Sequence, residues 1–291
     1  MKKNIIATNE WFKNRHLLKQ GGWYALAIYM ILQKMQQYDG KIIVSIGELI
    51  AYMMADRKNE TIVQHIKDAI NFLVQEKFIV LYQNIHMTQS VECDLKNTKT
   101  GQALYMRIGE LPAIGYTQIT VDELNTIMIN PKLKAKQKAQ ILSYFMAIIS
   151  HIDTKTKVAY PSFDTLQEEA QVGRREKCKQ FNEELKDMGL LVYGNAGVAN
   201  IERTGFVSNT YARAEHEVEL KTELMRMRET RDWKIDEIRK YRITDMKRSL
   251  KQRINKLQQR AEQGELKMKE QRQLDRLWEH YNELSYGEEV L

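Results

Sequence analysis

Tyr160-Pro161-Ser162-Phe163-Asp164-Thr165-Leu166-Gln167-Glu168-Glu169-Ala170 opens the stretch that decides the fold. Ser162 is placed to cap a short helix, because its hydroxyl can accept a bond from a first-turn N–H that has no partner inside the helix. Val172-Gly173-Arg174-Arg175 then reads as a tight turn. From about Arg175 to Met188, the residues Cys178, Phe181, Leu185 and Met188 recur at helical spacing, and Gly189 follows as a C-terminal stop. Leu190-Leu191-Val192-Tyr193 reads as a strand, Gly194-Asn195-Ala196-Gly197 as a hairpin turn, and Val198–Ile201 as the return strand. Upstream, Asn130-Pro131 predicts a helix start. Ile141, Leu142, Phe145, Ile148 and Ile149 follow on one face, and the polar run Asp153-Thr154-Lys155-Thr156-Lys157 ends that helix.

The same grammar occurs earlier in the chain. A helix is predicted from about Gly22 to Gln36, and Ser45-Ile46-Gly47-Glu48-Leu49 parallels Ser162-Phe163-Asp164-Thr165-Leu166. Ile62, Ile66, Ala69 and Leu73 parallel the apolar face of the later helix, and Lys77–Leu81 parallels Gly189–Tyr193. The turn is longer here, Ala55-Asp56-Arg57-Lys58-Asn59-Glu60, and strands are predicted near Val91–Leu95 and Ala103–Ile108. Internal duplication is the economical reading. Helix, helix, turn, helix, hairpin is the order of a winged helix. The expected fold class is therefore mainly α with small β-hairpins (α+β): tandem winged-helix domains over 1–112 and 113–211, then a basic helical or coiled-coil tail over 212–291.

In that tail, Leu220, Leu224 and Met227, then Met246, Leu250, Ile254, Leu257 and Ala261, recur at spacings that suit a coiled-coil seam. Gly264 is placed to break the helix, with Leu266, Leu274, Leu277, Trp278, Tyr281 and Leu284 on a second arm. Cations concentrate here: Lys234, Arg239, Lys240, Arg242, Lys247, Arg248, Lys251, Arg253, Lys256 and Arg260 face only Asp236, Glu237 and Asp245. Two readings stand, a coiled coil with a basic outer face and a helix lying along DNA.

Composition narrows the function classes. A formal net charge of +7 over 291 residues points to a polyanionic partner. The two cysteines, Cys93 and Cys178, are far apart and outside any CxxC pair, so free thiols in a reducing cytoplasm are expected. No apolar run approaches the roughly 20 residues that span a bilayer, so no membrane partner is expected. The sequence holds no GxxxxGK[ST], no HExxH and no His-x-His, and its six histidines are scattered. No enzyme activity, catalytic residue, metal or cofactor is expected.

Residues 130–211 resemble the winged-helix domain of replication initiators and replisome organisers of Gram-positive plasmids and phages. The resemblance rests on Pro131-Lys132-Leu133-Lys134-Ala135-Lys136, on Ala159–Leu166, on Glu184–Leu191 and on Ser208-Asn209-Thr210-Tyr211. The family opens its recognition helix with Ser or Thr, where this chain has Gly173-Arg174-Arg175-Glu176. The resemblance implies a cytoplasmic, nucleoid-associated protein that binds origin repeats and recruits a host helicase or helicase loader.

In helix-turn-helix proteins the second helix of the pair enters the major groove by its N-terminal residues. Those are Arg174, Arg175, Lys177, Lys179 and Gln180, with Ser162 capping the partner helix and Asn195 and Arg203 at the wing. The first unit offers Arg57, Lys58, Asn59, Thr61 and Gln64 on the corresponding face, beside a solvent-exposed His65. Arg can pair with guanine and Gln with adenine through two hydrogen bonds. Lys132, Lys134, Lys136 and Lys138 alternate at a helix start, suited either to phosphates or to solvent. The expected function is sequence-specific binding of double-stranded DNA in plasmid or phage replication. The alternatives are a transcriptional repressor and a DNA-binding scaffold for segregation or conjugation. A homodimer through the C-terminal helices or the first winged helix is expected.

Overall fold

A computed structural model of the chain describes residues 4–13, 16–91, 95–109, 115–196, 209–230, 235–262 and 268–286. The described residues are mixed α and β, with helices dominant and small antiparallel sheets. They pack as two compact units, one up to residue 195 together with 209–225, the other from 226 onward.

The first unit begins with strand β1 (Asn4–Thr8), which pairs antiparallel with β5 (Tyr116–Thr120). Helix α1 (Leu17–Met35) bends at Gly22, whose φ of 73° breaks the helical path. Strand β2 (Lys41–Ser45) leads into α2 (Ile46–Tyr52). Ser45 and Glu48 form a full capping box, each side chain accepting the other's backbone N–H. Helix α3 (Glu60–Gln75) follows, then β3 (Ile79–Tyr82) and β4 (Ala103–Ile108). The three strands form one sheet in the order β2-β4-β3. Helix α4 (Val121–Met128) has a second capping box, between Thr120 and Glu123.

The later half repeats this path. Helix α5 (Ala135–Ile149), α6 (Phe163–Glu169) and α7 (Arg175–Asp187) precede β6 (Leu191–Gly194) and β7 (Thr210–Arg213). Ala159 bridges Tyr211 of β7, so a strand-like residue ahead of α6 lies on β7 as β2 lies on β4. Gly40, Ser45, Met53 and Met54 recur at identical spacing as Lys157, Ser162, Ala170 and Gln171. The conformations match as well. Gly40 and Lys157 have φ of 81° and 62°, and Met54 and Gln171 have φ of 52° and 54°. Helices α3 and α7 both end on a left-handed residue, Lys77 at φ 61° and Gly189 at φ 68°. Their closing bonds agree, Phe78 N to Leu73 O at 2.9 Å and Leu190 N to Leu185 O at 3.0 Å.

The halves on either side of residue 112 share one core, running from Ile5 through Leu26, Ile70 and Phe145 to Tyr211. They also exchange donors reciprocally. Trp23 of α1 donates its indole N–H to the Ala170 carbonyl at the end of α6 (2.9 Å), and Lys138 of α5 donates to the Met53 carbonyl at the end of α2 (2.9 Å). Each bond satisfies a helix-end carbonyl that has no partner within its own helix. Arg213 of β7 ties the far edge to α4 by pairing with Glu123. Leu220 and Leu224, on the first part of α8 (Glu217–Thr230), pack on Val158, Val192 and Ala212.

In the second unit, α9 (Ile235–Glu262) and α10 (Met268–Tyr286) pack on each other. Leu250, Ile254 and Leu274 are buried there, Trp278 meets Tyr281 edge-on, and Arg260 pairs with Glu270 at 2.8 Å.

Several expectations are corrected. Asn130-Pro131 does not start a helix; the Asn130 side chain accepts the Lys132 N–H at 3.0 Å in a local turn, and α5 begins at Ala135. The strand opposite Leu191–Gly194 is Thr210–Arg213, and Gly194 belongs to the strand and not to the turn. The return strand expected at 198–201 lies outside the described residues. Of the strand expected near Val91–Leu95, residues 92–94 lie outside the described residues; next to them Ser90 bridges Tyr82 and the Val91 N–H donates to the Leu81 carbonyl of β3 at 3.0 Å. Lys138, expected at a solvated or phosphate-facing helix start, is fully buried.

Candidate nucleic-acid interface

The geometry of the second half starts at Ser162, whose hydroxyl accepts the Thr165 N–H at 3.0 Å. That fixes the start of α6. Ala170 and the left-handed Gln171 then end α6, with the Val172 N–H donating to the Gln167 carbonyl at 2.9 Å. The chain emerges in an exposed Gly173, around which a Cβ would meet nothing within 4 Å. Arg174 occupies the N-cap of α7 in extended conformation, and its side chain makes no capping bond. In the first turn of α7 the Lys177 N–H donates to the Arg174 carbonyl at 3.0 Å, the Arg175 and Glu176 N–H groups receive no side-chain cap, and exposed Glu176 places one carboxylate beside them. Such a helix end carries partial positive charge and favours an anion.

Around that end the cations are set at different depths. Arg174, Arg175 and Lys179 are exposed, while Lys177 is half-buried. The Arg175 guanidinium lies 5.4 Å from the centre of the Phe163 ring on α6, a contact that restrains the side chain over the turn. The Lys177 ammonium sits 4.8 Å from the Phe181 ring and donates to Gln180 Oε1 at 3.2 Å. Gln180 in turn donates to Glu184 Oε1 at 2.7 Å, which also accepts from Gln137 at 2.8 Å. Gln180 is thus already hydrogen-bonded, and a base would have to compete with Glu184 for its amide. The structure brings Arg174, Arg175, Lys177, Lys179 and Gln180 together on the first two turns of one helix. Ser162 acts as a cap beneath them. At the hairpin, the Asn195 amide donates to Asn209 Oδ1 at 3.3 Å. Arg203 lies outside the described residues.

The buried side of α7 explains its position. Asn182 is 1% exposed, accepts the Tyr144 hydroxyl of α5 at 2.9 Å and donates to the Tyr211 hydroxyl of β7 at 3.4 Å. The triad joins α5, α7 and β7 through polar groups that burial would otherwise leave costly. Burial raises the pKa of both phenols, so both stay protonated, Tyr144 donating to Asn182 and Tyr211 accepting from it. Cys178, on the same face, is a free and buried thiol with its pKa pushed up to about 11 by burial. Asn182 had only a polar residue's signature inside an apolar face, and Tyr211 only its place in Ser208-Asn209-Thr210-Tyr211. Neither signal names the partner.

In the first half the corresponding residues are less concentrated. Asn59 caps α3, accepting the Ile62 N–H at 3.2 Å, and Gln64 donates to Asp68 at 2.8 Å. Arg57, Lys58 and Thr61 are exposed beside Glu60. Arg57 lines a cleft with Ser45, Gly47, Glu48, Thr100 and Gly101. His65 is exposed and stacks on Tyr24 with ring centres 5.0 Å apart. Lys67, on the same helix, is buried and donates to the Lys96 carbonyl at 2.9 Å, a role its place in the sequence does not mark.

Among the described residues no His, Cys, Asp and Glu group is placed to hold a metal ion, and no helix is long and apolar enough to cross a membrane. A scan against protein-family models finds no match for the chain, and no curated protein matches it.

Proposed function

We propose that the chain is a tandem winged-helix protein that binds double-stranded DNA by sequence and serves as an initiator of plasmid or phage replication. The observation that carries the reading is the bare N-terminal end of α7, ringed by Arg174, Arg175, Lys177, Lys179 and Gln180 and held outward by the turn at Gln171 and Gly173. An arginine pair at such an end can engage guanine edges and adjacent phosphates together. The repeat of the same helix and strand order around α3 supports two DNA-contacting units in one chain. The β2-β4-β3 strand order, with two helices and a turn between the first two strands, is what the winged-helix reading rests on. The initiator role itself rests on the resemblance of residues 130–211 and includes recruitment of a host helicase or its loader.

Footprinting of the full chain on its own gene and flanking DNA tests the proposal. Protection of several spaced repeats, lost in Arg174→Ala/Arg175→Ala, is the expected result. A single footprint over the promoter would replace the initiator with a repressor. No protection at low salt would overturn DNA binding altogether.

A further inference from the structure

We infer that the outward face of α9 is a second nucleic-acid contact, a sequence-independent grip on the DNA phosphate backbone. The inference extends the DNA-binding reading above but stands on a different part of the chain. From Met246 to Ala261 the sequence carries Lys247, Arg248, Lys251, Arg253, Lys256 and Arg260 and not one carboxylate. Solvated helix faces ordinarily interleave both signs. Leu250 and Ile254 are buried against the packed α10, and Arg260 is held by Glu270. Arg248, Lys251, Arg253 and Lys256 remain exposed and have no carboxylate partner among the described residues.

Their placement suits a helix laid against a duplex. Arg248 to Lys256 spans ~12 Å at 1.5 Å per residue, with Arg248 and Lys256 opposite the buried Leu250 and Ile254 and Lys251 and Arg253 on the two flanks, so the cations can meet phosphates on both sides of the helix. A DNA strand carries one charge per ~3.4 Å of duplex axis. Exposed Gln252, Asn255 and Gln259 lie between the cations and add neutral donors for phosphate or sugar oxygens. The apolar side of α9 is covered by α10, so the helix lacks the free apolar face that an interfacial membrane helix inserts. The exposed positions of 248–256 hold no apolar residue, whereas the core of a protein interface is apolar and depleted in charge, which disfavours a protein partner on this face.

The test is the salt dependence of binding by the full chain to a random-sequence 30-base-pair duplex. It compares wild type, Arg248→Gln/Lys251→Gln/Arg253→Gln/Lys256→Gln, and a charge-preserving variant in which each of the four is exchanged between Lys and Arg. Glutamine keeps helix propensity, and the four side chains are exposed, so wild-type helicity is the folding control. If the quadruple variant fails that control, the two adjacent pairs are measured separately. Each phosphate contact contributes about 0.9 to the slope of log affinity on log salt, so the quadruple variant should lose about 3 to 4 in slope. The exchange variant should keep the wild-type slope. A loss below about 2, or below about 1 for each pair, overturns the inference. The Arg174→Ala/Arg175→Ala variant separates the two readings. If it keeps every footprint while the quadruple variant loses slope, the α9 contact stands and the reading of α7 falls.

Discussion

Asn182→Leu is the sharpest test of how α7 is held. The substitution keeps the number of side-chain heavy atoms but removes both the acceptor of the Tyr144 hydroxyl and the donor to the Tyr211 hydroxyl. Tyr144 is fully buried, and besides Asn182 its hydroxyl has the Tyr211 hydroxyl and the Cys178 sulfur, a weak partner, as polar neighbours. Tyr211 keeps a long contact from the Asn209 amide at 3.5 Å. Both buried hydroxyls thus lose their amide partner and keep each other and weaker contacts. At ~1–3 kcal/mol for an under-satisfied buried polar group, the expected cost is about 1–3 kcal/mol. For a compact unit of this size that lowers the thermal midpoint by roughly 2–12 °C. Tyr144→Phe alone strands the Asn182 oxygen and costs about 1–3 kcal/mol. In the double variant both partners are gone, so the losses should overlap by about 1 kcal/mol or more. Calorimetry or circular dichroism on the four proteins completes the cycle. Strict additivity, or an Asn182→Leu midpoint within 2 °C of wild type, would refute a bonded triad at this position.

Gly109→Ala would place a Cβ 2.0 Å from the Lys77 carbonyl oxygen, a backbone atom that cannot swing away. A loss of more than about 2 kcal/mol in denaturant unfolding is expected, and a neutral result would show that the β3–β4 edge relaxes freely. Stability should fall as pH rises above 10. Burial raises Tyr52 from 10.0 to about 12, so its contribution is whole below 10 and is lost as pH climbs through 12. Tyr29, Tyr144 and Tyr211 are raised for the same reason and act in the same sense. Lys138, lowered by burial, acts oppositely below 10.5. A denaturation midpoint that stays flat from pH 9 to 11.5 would contradict this, and Tyr52→Phe should flatten part of the fall. Cys178 should resist alkylation in the native protein and react only on unfolding. Peptide mapping after iodoacetamide at pH 8 checks this, and rapid native labelling would place the thiol at the surface.

The features legible in the sequence are those whose cause lies within a few residues. Ser45 and Ser162 cap helices because a hydroxyl one turn from free N–H groups needs no distant partner. Gly189 ends α7 because a left-handed residue closes a helix locally, and the cluster from Arg174 to Gln180 follows from where α7 starts. The apolar period of α9 and a second apolar arm after Gly264 were both legible, whereas the packing of that arm on α9 as α10 appears only in the structure.

Tertiary structure decided the rest. Lys138 sits in an alternation of lysines that reads as solvated, yet the Met53 carbonyl of another helix draws it into the core. Strand β6 has alternatives of comparable local merit on either side of its turn, and it pairs with Thr210–Arg213, where Tyr211 also meets Asn182 and Ala159. Strands β1 and β5 carry no strong local signal and form because they meet each other. A capping hydroxyl and a helix stop act over one turn of chain. A buried ammonium, a strand register and a polar triad depend on groups distant in sequence, whose positions exist only once the core has closed.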